Sequence, residues 1–403
     1  MTAVAPATLI SYRRLALLLA ALSALGPFSI DTYLPSFPEI GSSLGATQLQ
    51  VQQTLTAYLL PFAIMTLWHG ALSDALGRRH VILGALFLFA LASLGCVFAT
   101  SIEQLWIWRA LQGMTAGAGI VIGRAVVRDV FQGPEAQRLM AHVAIMFALA
   151  PAIAPVIGGW LHAWFGWRSI FVFLTLATLL LLAACWRWLP ETLGRGHRQP
   201  LHPGYLLRAY RGVLTSHGFV TACGALAFNF LGFFIYVMSA PVFLMQHLGR
   251  GETEFLWLFG PAMAGLMVGS WLSGHFAARH HPLTTAWRGY ALMGLGAAIN
   301  LGISFGLPPG LPWSVVHLFV YNVGMSMAMP ALTLLALDLF PRQRGLAASC
   351  QTFLQSGMNS LAAAFLAPLL WGSVRTLAAG STMLLLTGLL FTFLHGRGLR
   401  RPG

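Results

Sequence analysis

Charge is what this sequence has least of. Only 8% of its 403 residues are charged, against about a quarter in a soluble globular protein. Too few charges remain to cover a water-facing surface of this size, so lipid must solvate much of it. Lysine is absent altogether, and all 23 basic residues are arginine; this reads as a composition bias without mechanistic content. Ten residues are acidic, leaving a formal net charge of +13. The arginines recur in small groups between apolar runs and form no single patch, which excludes a nucleic-acid partner. Cysteine is scarce as well. Cys96, Cys185, Cys223 and Cys350 fall in four different apolar runs, without CxxC or metal-ligand spacing, so neither a disulfide nor a metal site is expected. The 13 histidines are scattered, and the adjacent pair His280-His281 falls in a loop. There is no phosphate-binding glycine loop and no soluble domain. No cofactor is expected, and active transport would have to draw on an ion or substrate gradient.

What is present is apolar: 57% of the residues. A helix crossing a hydrocarbon layer of roughly 30 Å needs about 20 mostly apolar residues. Twelve such runs can be marked, near 14–37, 48–72, 80–99, 103–127, 138–161, 167–189, 217–242, 254–278, 284–306, 312–337, 344–370 and 375–394. They are too long for barrel strands and do not alternate. The first run is not a signal peptide, because it leads into Asp31, Pro35 and Pro38 rather than a small-residue cleavage site. With the N-terminus placed in the cytoplasm, 18 arginines fall in inner segments and three (Arg168, Arg250, Arg375) in outer loops; Arg109 and Arg124 lie within spans. That bias fixes the orientation, and an even span count puts both termini in the cytoplasm. The expectation is an all-α membrane protein of twelve transmembrane helices in two six-helix bundles, 1–189 and 217–403. A polar, basic cytoplasmic linker, 190–216, joins them.

Three stretches carry more specific information. "GALSDALGRRH", 70–80, sits at the turn between spans 2 and 3. Gly70 and Gly77 permit close approach and a tight turn. Asp74 is placed either to pair with Arg78 or to face a neighbouring helix N-terminus, and Arg79 completes the basic pair. "WIWRALQGMTAGAG", 106–119, puts Arg109 inside span 4 with Gln112 and Gly113 on nearby faces. "APAIAPVIGGWL", 150–161, places Pro151, Pro155, Gly158 and Gly159 in span 5, where they would kink the helix and let a neighbour approach.

Together these resemble the motifs of the major facilitator superfamily. The loop motif is matched fully at 70–79 and the span-4 arginine motif at 109–113. The proline-glycine motif of antiporters is matched in part, with Ala150 and Ala154 standing where that pattern prefers glycine. "DTYLPSFPEI" in span 1, "RAVVRDVF" at 124–131 and "LPET" at 189–192 are similar to the Bcr/CflA branch of drug:proton antiporters. "GHFAARHH", 274–281, is a decayed second-half copy of the 70–80 turn without its aspartate. The resemblance implies two bundles rocking about a central cavity. It also implies proton coupling by an acidic residue in span 1 and the arginine of span 4, here Asp31 and Arg109.

Asp31 is the residue the sequence leaves most in need of explanation. A charge within a membrane span is costly and marks function by default. At 1.5 Å per residue, Asp31 lies about 12 Å and Arg109 about 9 Å from the outer ends of their spans, so both reach similar depth and can face one cavity. Burial and a nearby cation act oppositely on a carboxyl's hold on its proton. A cavity opening to alternate sides would shift that balance at each step. The plainer alternatives are that Asp31 caps a broken helix end and that Arg109 is a strut. Tyr58, Gln112, Asn229, Tyr236, Gln351 and Gln355 are further candidates to line a cavity. Gln351, Gln355 and Asn359 share one helix face, which equally suits packing on a neighbouring helix. Met114, Met146 and Phe147 would supply a pliable apolar wall or ordinary packing. The expected function is proton-coupled export of small amphipathic compounds across the inner membrane by a monomer. A dedicated metabolite exporter or importer on the same fold is the alternative. A channel would show repeated polar rings and an enzyme a nucleophile or metal set; neither is visible.

Overall fold

The computed structural model describes residues 11–131, 133–194, 196, 198, 201–277, 281–341 and 343–398. Every long regular element among them is a helix, as a chain solvated by lipid requires, because a helix satisfies its backbone groups internally. The chain divides into two compact units, Met1–Pro203 and Gly204–Gly403.

In the first unit, α1 (Tyr12–Asp31) ends at the aspartate. A short 3-10 turn, Leu34–Ser36, and α2 (Phe37–Leu44) continue its course. Pro35 opens the turn and Pro38 the following helix, and both lack the N–H that an unbroken helix would need. Then come α3 (Gln48–Leu76), α4 (Arg78–Val97), α5 (Ile102–Val130), α6 (Gly133–Phe165) and α7 (Arg168–Trp188). α3 begins on a capping box, with Gln50 N–H donating to Thr47 Oγ1 (3.3 Å) and Thr47 N–H to Gln50 Oε1 (2.9 Å). Between α3 and α4 only Gly77 intervenes, at φ 102°, a conformation that side chains rarely adopt. A core of Leu15, Leu18 and Leu22 from α1, Ile82 and Leu86 from α4 and Ile122 and Val126 from α5 ties the unit together.

The second unit holds α8 (Pro203–Leu214), α9 (His217–Met238), α10 (Leu256–Ala277), α11 (Pro282–Gly306), α12 (Trp313–Asp338), α13 (Arg344–Leu361), α14 (Ala367–Leu370) and α15 (Val374–Gly398). One-turn π segments, Pro241–His247 and Ala362–Leu366, follow α9 and α13. The stretch read as a polar linker therefore contains a helix, α8, started by Pro203. Large apolar side chains such as Leu180, Trp271 and Leu369 are exposed, which suits hydrocarbon and would be costly in water.

Eleven helices among the described residues are long and apolar enough to cross a membrane. The twelfth run expected from sequence falls on α6, 33 residues long, whose described apolar stretch is the shorter Leu149–Phe165.

Candidate functional site

Arg109 is the organising residue. It is fully buried on α5, between the rings of Tyr33 and Tyr58, with its guanidinium carbon 4.8 and 4.5 Å from their centroids. Two π faces on a desolvated cation are worth about 2 kcal/mol or more each. Its Nη1 donates to the Ser29 carbonyl of α1 (3.1 Å) and to Gln112 Oε1 (2.8 Å). Gln112 is held in turn by donating from Nε2 to Ser93 Oγ on α4 (2.7 Å), and the Cys96 thiol approaches its Oε1 at 3.9 Å. The Nε and Nη2 of Arg109 have no hydrogen-bond partner. Unpaired buried donors are rare and ask for an explanation.

The tyrosines are fixed by the helices around them. Tyr58 of α3 accepts a hydrogen bond from Ser29 Oγ (2.8 Å) and donates to the Gly26 carbonyl (3.3 Å). Tyr33 shares a hydrogen bond with Thr54 Oγ1 (2.7 Å). Close approach of α5 to α3 depends on Gly113, where a Cβ would collide with the Tyr58 carbonyl.

Asp31 is buried, at 4% exposure, two residues beyond the carbonyl that Arg109 holds. Among the described residues no cation lies within 4.0 Å of its carboxyl. Asp31 thus stands two residues along α1 from the carbonyl that Arg109 holds, and no ion pair joins the two side chains. The break behind Asp31 is pressed by α6: a Cβ on Gly158 would collide with the Thr32 carbonyl. Gly159 and Pro155 are buried and Pro151 half-buried on the same helix. Past the break, Glu39 of α2 accepts from the Trp167 backbone N–H and lies 2.9 Å from His162 Nδ1 of α6.

At the other end of the unit Gly70 precedes a charged cluster. Arg78 pairs with Asp74 and, through Nε, with Asp129 of α5 (3.2 Å). Its backbone N–H donates to Glu191 Oε1 (2.9 Å). Gly77 is required twice here, by its φ and because a Cβ would collide with Glu191 Oε2. Arg79 donates to the Trp186 carbonyl at the end of α7.

Four of the remaining candidates belong to the second unit. Asn229 and Tyr236, on α9 of the second unit, bond across to α11, through Tyr290 (2.8 Å) and Asn300 (2.8 Å). Gln351 donates to Thr333 of α12 (3.2 Å), and Gln355 is half-buried one turn on. Met114 is exposed at 41%. The side chains of Met146 and Phe147 lie outside the described residues. The sequence reading passed over Tyr33, Ser29, Ser93 and Thr54. Tyr33 was within reach, standing two residues after Asp31; the others are small hydroxyls whose partners only the packing reveals.

The family model described as Major Facilitator Superfamily matches residues 17–363. An uncharacterized MFS-type transporter, YdgK, of Bacillus subtilis (strain 168) is 35% identical over 80% of this chain and 81% of its own length. Multidrug resistance protein D of Escherichia coli (strain K12) is 28% identical over 88% of each chain. A bicyclomycin resistance protein homolog of Haemophilus influenzae is 30% identical over 65% of this chain and 66% of its own. The solved D-xylose-proton symporter superposes with a TM-score of 0.72 at 15% identity, covering 96% of this chain and 97% of its own, a likeness of fold.

Proposed function

Since the chain belongs to the Major Facilitator Superfamily and is a multi-pass transport protein rather than an enzyme, we propose that it exports small amphipathic compounds in exchange for protons. It does so as a monomer in the inner membrane, by alternating access, with both termini cytoplasmic. Relatives named for multidrug and bicyclomycin resistance support the choice of cargo.

One observation supports the coupling: a fully buried Arg109 with two free donors holds the Ser29 carbonyl, two residues from a buried Asp31 that has no cation partner. Loss of the Asp31 proton creates a carboxylate in a poorly hydrated site, which is expensive unless a cation pairs with it. Nε and Nη2 of Arg109 are donors to spare for that moment. Re-protonation frees the arginine to return to the Ser29 carbonyl and the tyrosine faces. Two arrangements of one pair, differing by one proton, give the proton a grip on the α1 break. Gly158 and the prolines of α6 transmit a change at that break to a second long helix. The Arg78 cluster ties α3, α4, α5 and the segment after α7 at the opposite end.

The test is a susceptibility profile in a pump-deficient bacterium expressing the chain. Raised tolerance to several structurally unrelated amphipathic compounds, abolished by a protonophore, is expected. A change confined to one metabolite, insensitive to the protonophore, would favour the dedicated-carrier alternative.

A further inference from the structure

A cavity lies in the first unit, away from Asp31 and Arg109. It holds about 150 Å³ between α1, α5 and α6, and its walls include Leu19 and Ser23, Gly123, Arg124 and Val127, and Met140. Along α1, Ser23 is eight residues from Asp31, about 12 Å, and along α5, Arg124 is fifteen residues from Arg109, about 22 Å. Most of the lining is apolar, and Arg124 brings the charge.

Arg124 is exposed, as is Arg128, and has no counter-charge among the described residues. Among the described residues no carboxylate lies within 4.0 Å of Arg124 or of Arg128, one turn further on the same face. Asp129, the acid closest to them in sequence, is engaged by Arg78 and accepts from Thr192 Oγ1 (2.8 Å). Two like charges four residues apart on a helix repel each other, and an anion lodged between them relieves the repulsion. The cavity is about half the size of the smallest pockets that enclose a drug-sized molecule, so it would take one end of a ligand rather than the whole.

We propose that Arg124, Arg128 and this cavity form a subsite for an amphipathic anion. The guanidinium groups would hold a carboxylate or phosphate, which their planar forks match, and the apolar wall of Leu19, Val127 and Met140 would take the first few methylenes. The inference stands apart from proton coupling, since binding there needs no gradient.

The experiment titrates purified full-length protein, in phosphatidylcholine nanodiscs, with octanoate, octanol and octylammonium by calorimetry. Saturable binding of octanoate is expected, with octanol and octylammonium failing to displace it. Arg124→Gln and Arg128→Gln should each weaken octanoate by about tenfold or more, the loss of one charge-assisted contact. Arg124→Lys, which keeps the charge but not the fork, should weaken octanoate less than Arg124→Gln does, and helix content by circular dichroism should match wild type in all three. Repeating the titration with phosphatidylglycerol in the discs separates two sources of the anion. Competition assigns the subsite to a lipid headgroup and its absence to a soluble acid, and either outcome supports it. No saturable octanoate binding by the wild type, or equal affinity in the folded glutamine variants, would overturn the proposal.

Discussion

Arg109 can be replaced in ways that separate its roles. Lysine keeps the charge but not the planar fork, which here spans a carbonyl, an amide oxygen and two ring faces. A buried partner left unsatisfied costs about 1–3 kcal/mol. Arg109→Lys is therefore expected to insert normally and transport at least tenfold more slowly, measured as efflux from vesicles per inserted molecule. Wild-type rates would mean that charge alone suffices. The rings can be tested separately. Tyr33→Phe keeps a π face and gives up only the contact with Thr54, so transport should stay within about threefold of wild type, roughly one weak hydrogen bond. Tyr33→Leu removes the face from one side of the cation and should behave like the lysine variant. Equal rates in the leucine and phenylalanine variants would show that the tyrosine serves only as packing.

At the scale of helices, the site depends on how closely α6 and α5 approach their neighbours. Gly158→Val is predicted to force α6 off the Thr32 carbonyl, shifting the break behind Asp31. Overpacking of this kind costs about 1–3 kcal/mol, and transport should fall further than thermal stability does. Loss of stability with full activity per folded molecule would contradict that. This level is also where the sequence was least readable. Asp31 and Arg109 announce themselves as charges in apolar runs, and Pro35 marks the break that follows Asp31. Nothing in the sequence indicates that Ser93 of α4 would hold Gln112, or that Thr54 would meet Tyr33, because helix pairing is decided by small residues whose partners lie far away in the chain. Asn322 is a converse case: a buried polar residue whose Nδ2 donates to the Leu318 carbonyl of its own helix (2.7 Å), while its Oδ1 stays unpartnered. Gln351 likewise has a helix partner in Thr333. The run over α6 was marked from its apolarity, although only its second half is described as an apolar helix. In the linker, charge and proline concealed the helical stretch of α8, whose Tyr210 and Val213 are buried.

For the whole molecule, the orientation rests on the 18-to-3 arginine bias. A cysteine introduced by Arg250→Cys should react with a membrane-impermeant maleimide in intact cells, and one introduced by Gly204→Cys should not; the four native thiols are buried and supply a low background. The reverse pattern would invert the topology. The central claim is that Asp31 carries the proton exchanged for cargo, and it is tested most directly by proton movement itself. Wild-type and Asp31→Asn protein are reconstituted in liposomes with a trapped pH dye, and a transported compound is added under an imposed pH gradient. The amide has nearly the shape of the protonated acid but cannot release a proton. The wild type should couple cargo movement to proton flux, whereas Asp31→Asn should bind the compound with similar affinity and show neither cargo-driven proton flux nor gradient-driven efflux. Undiminished proton flux in the asparagine variant would contradict the account.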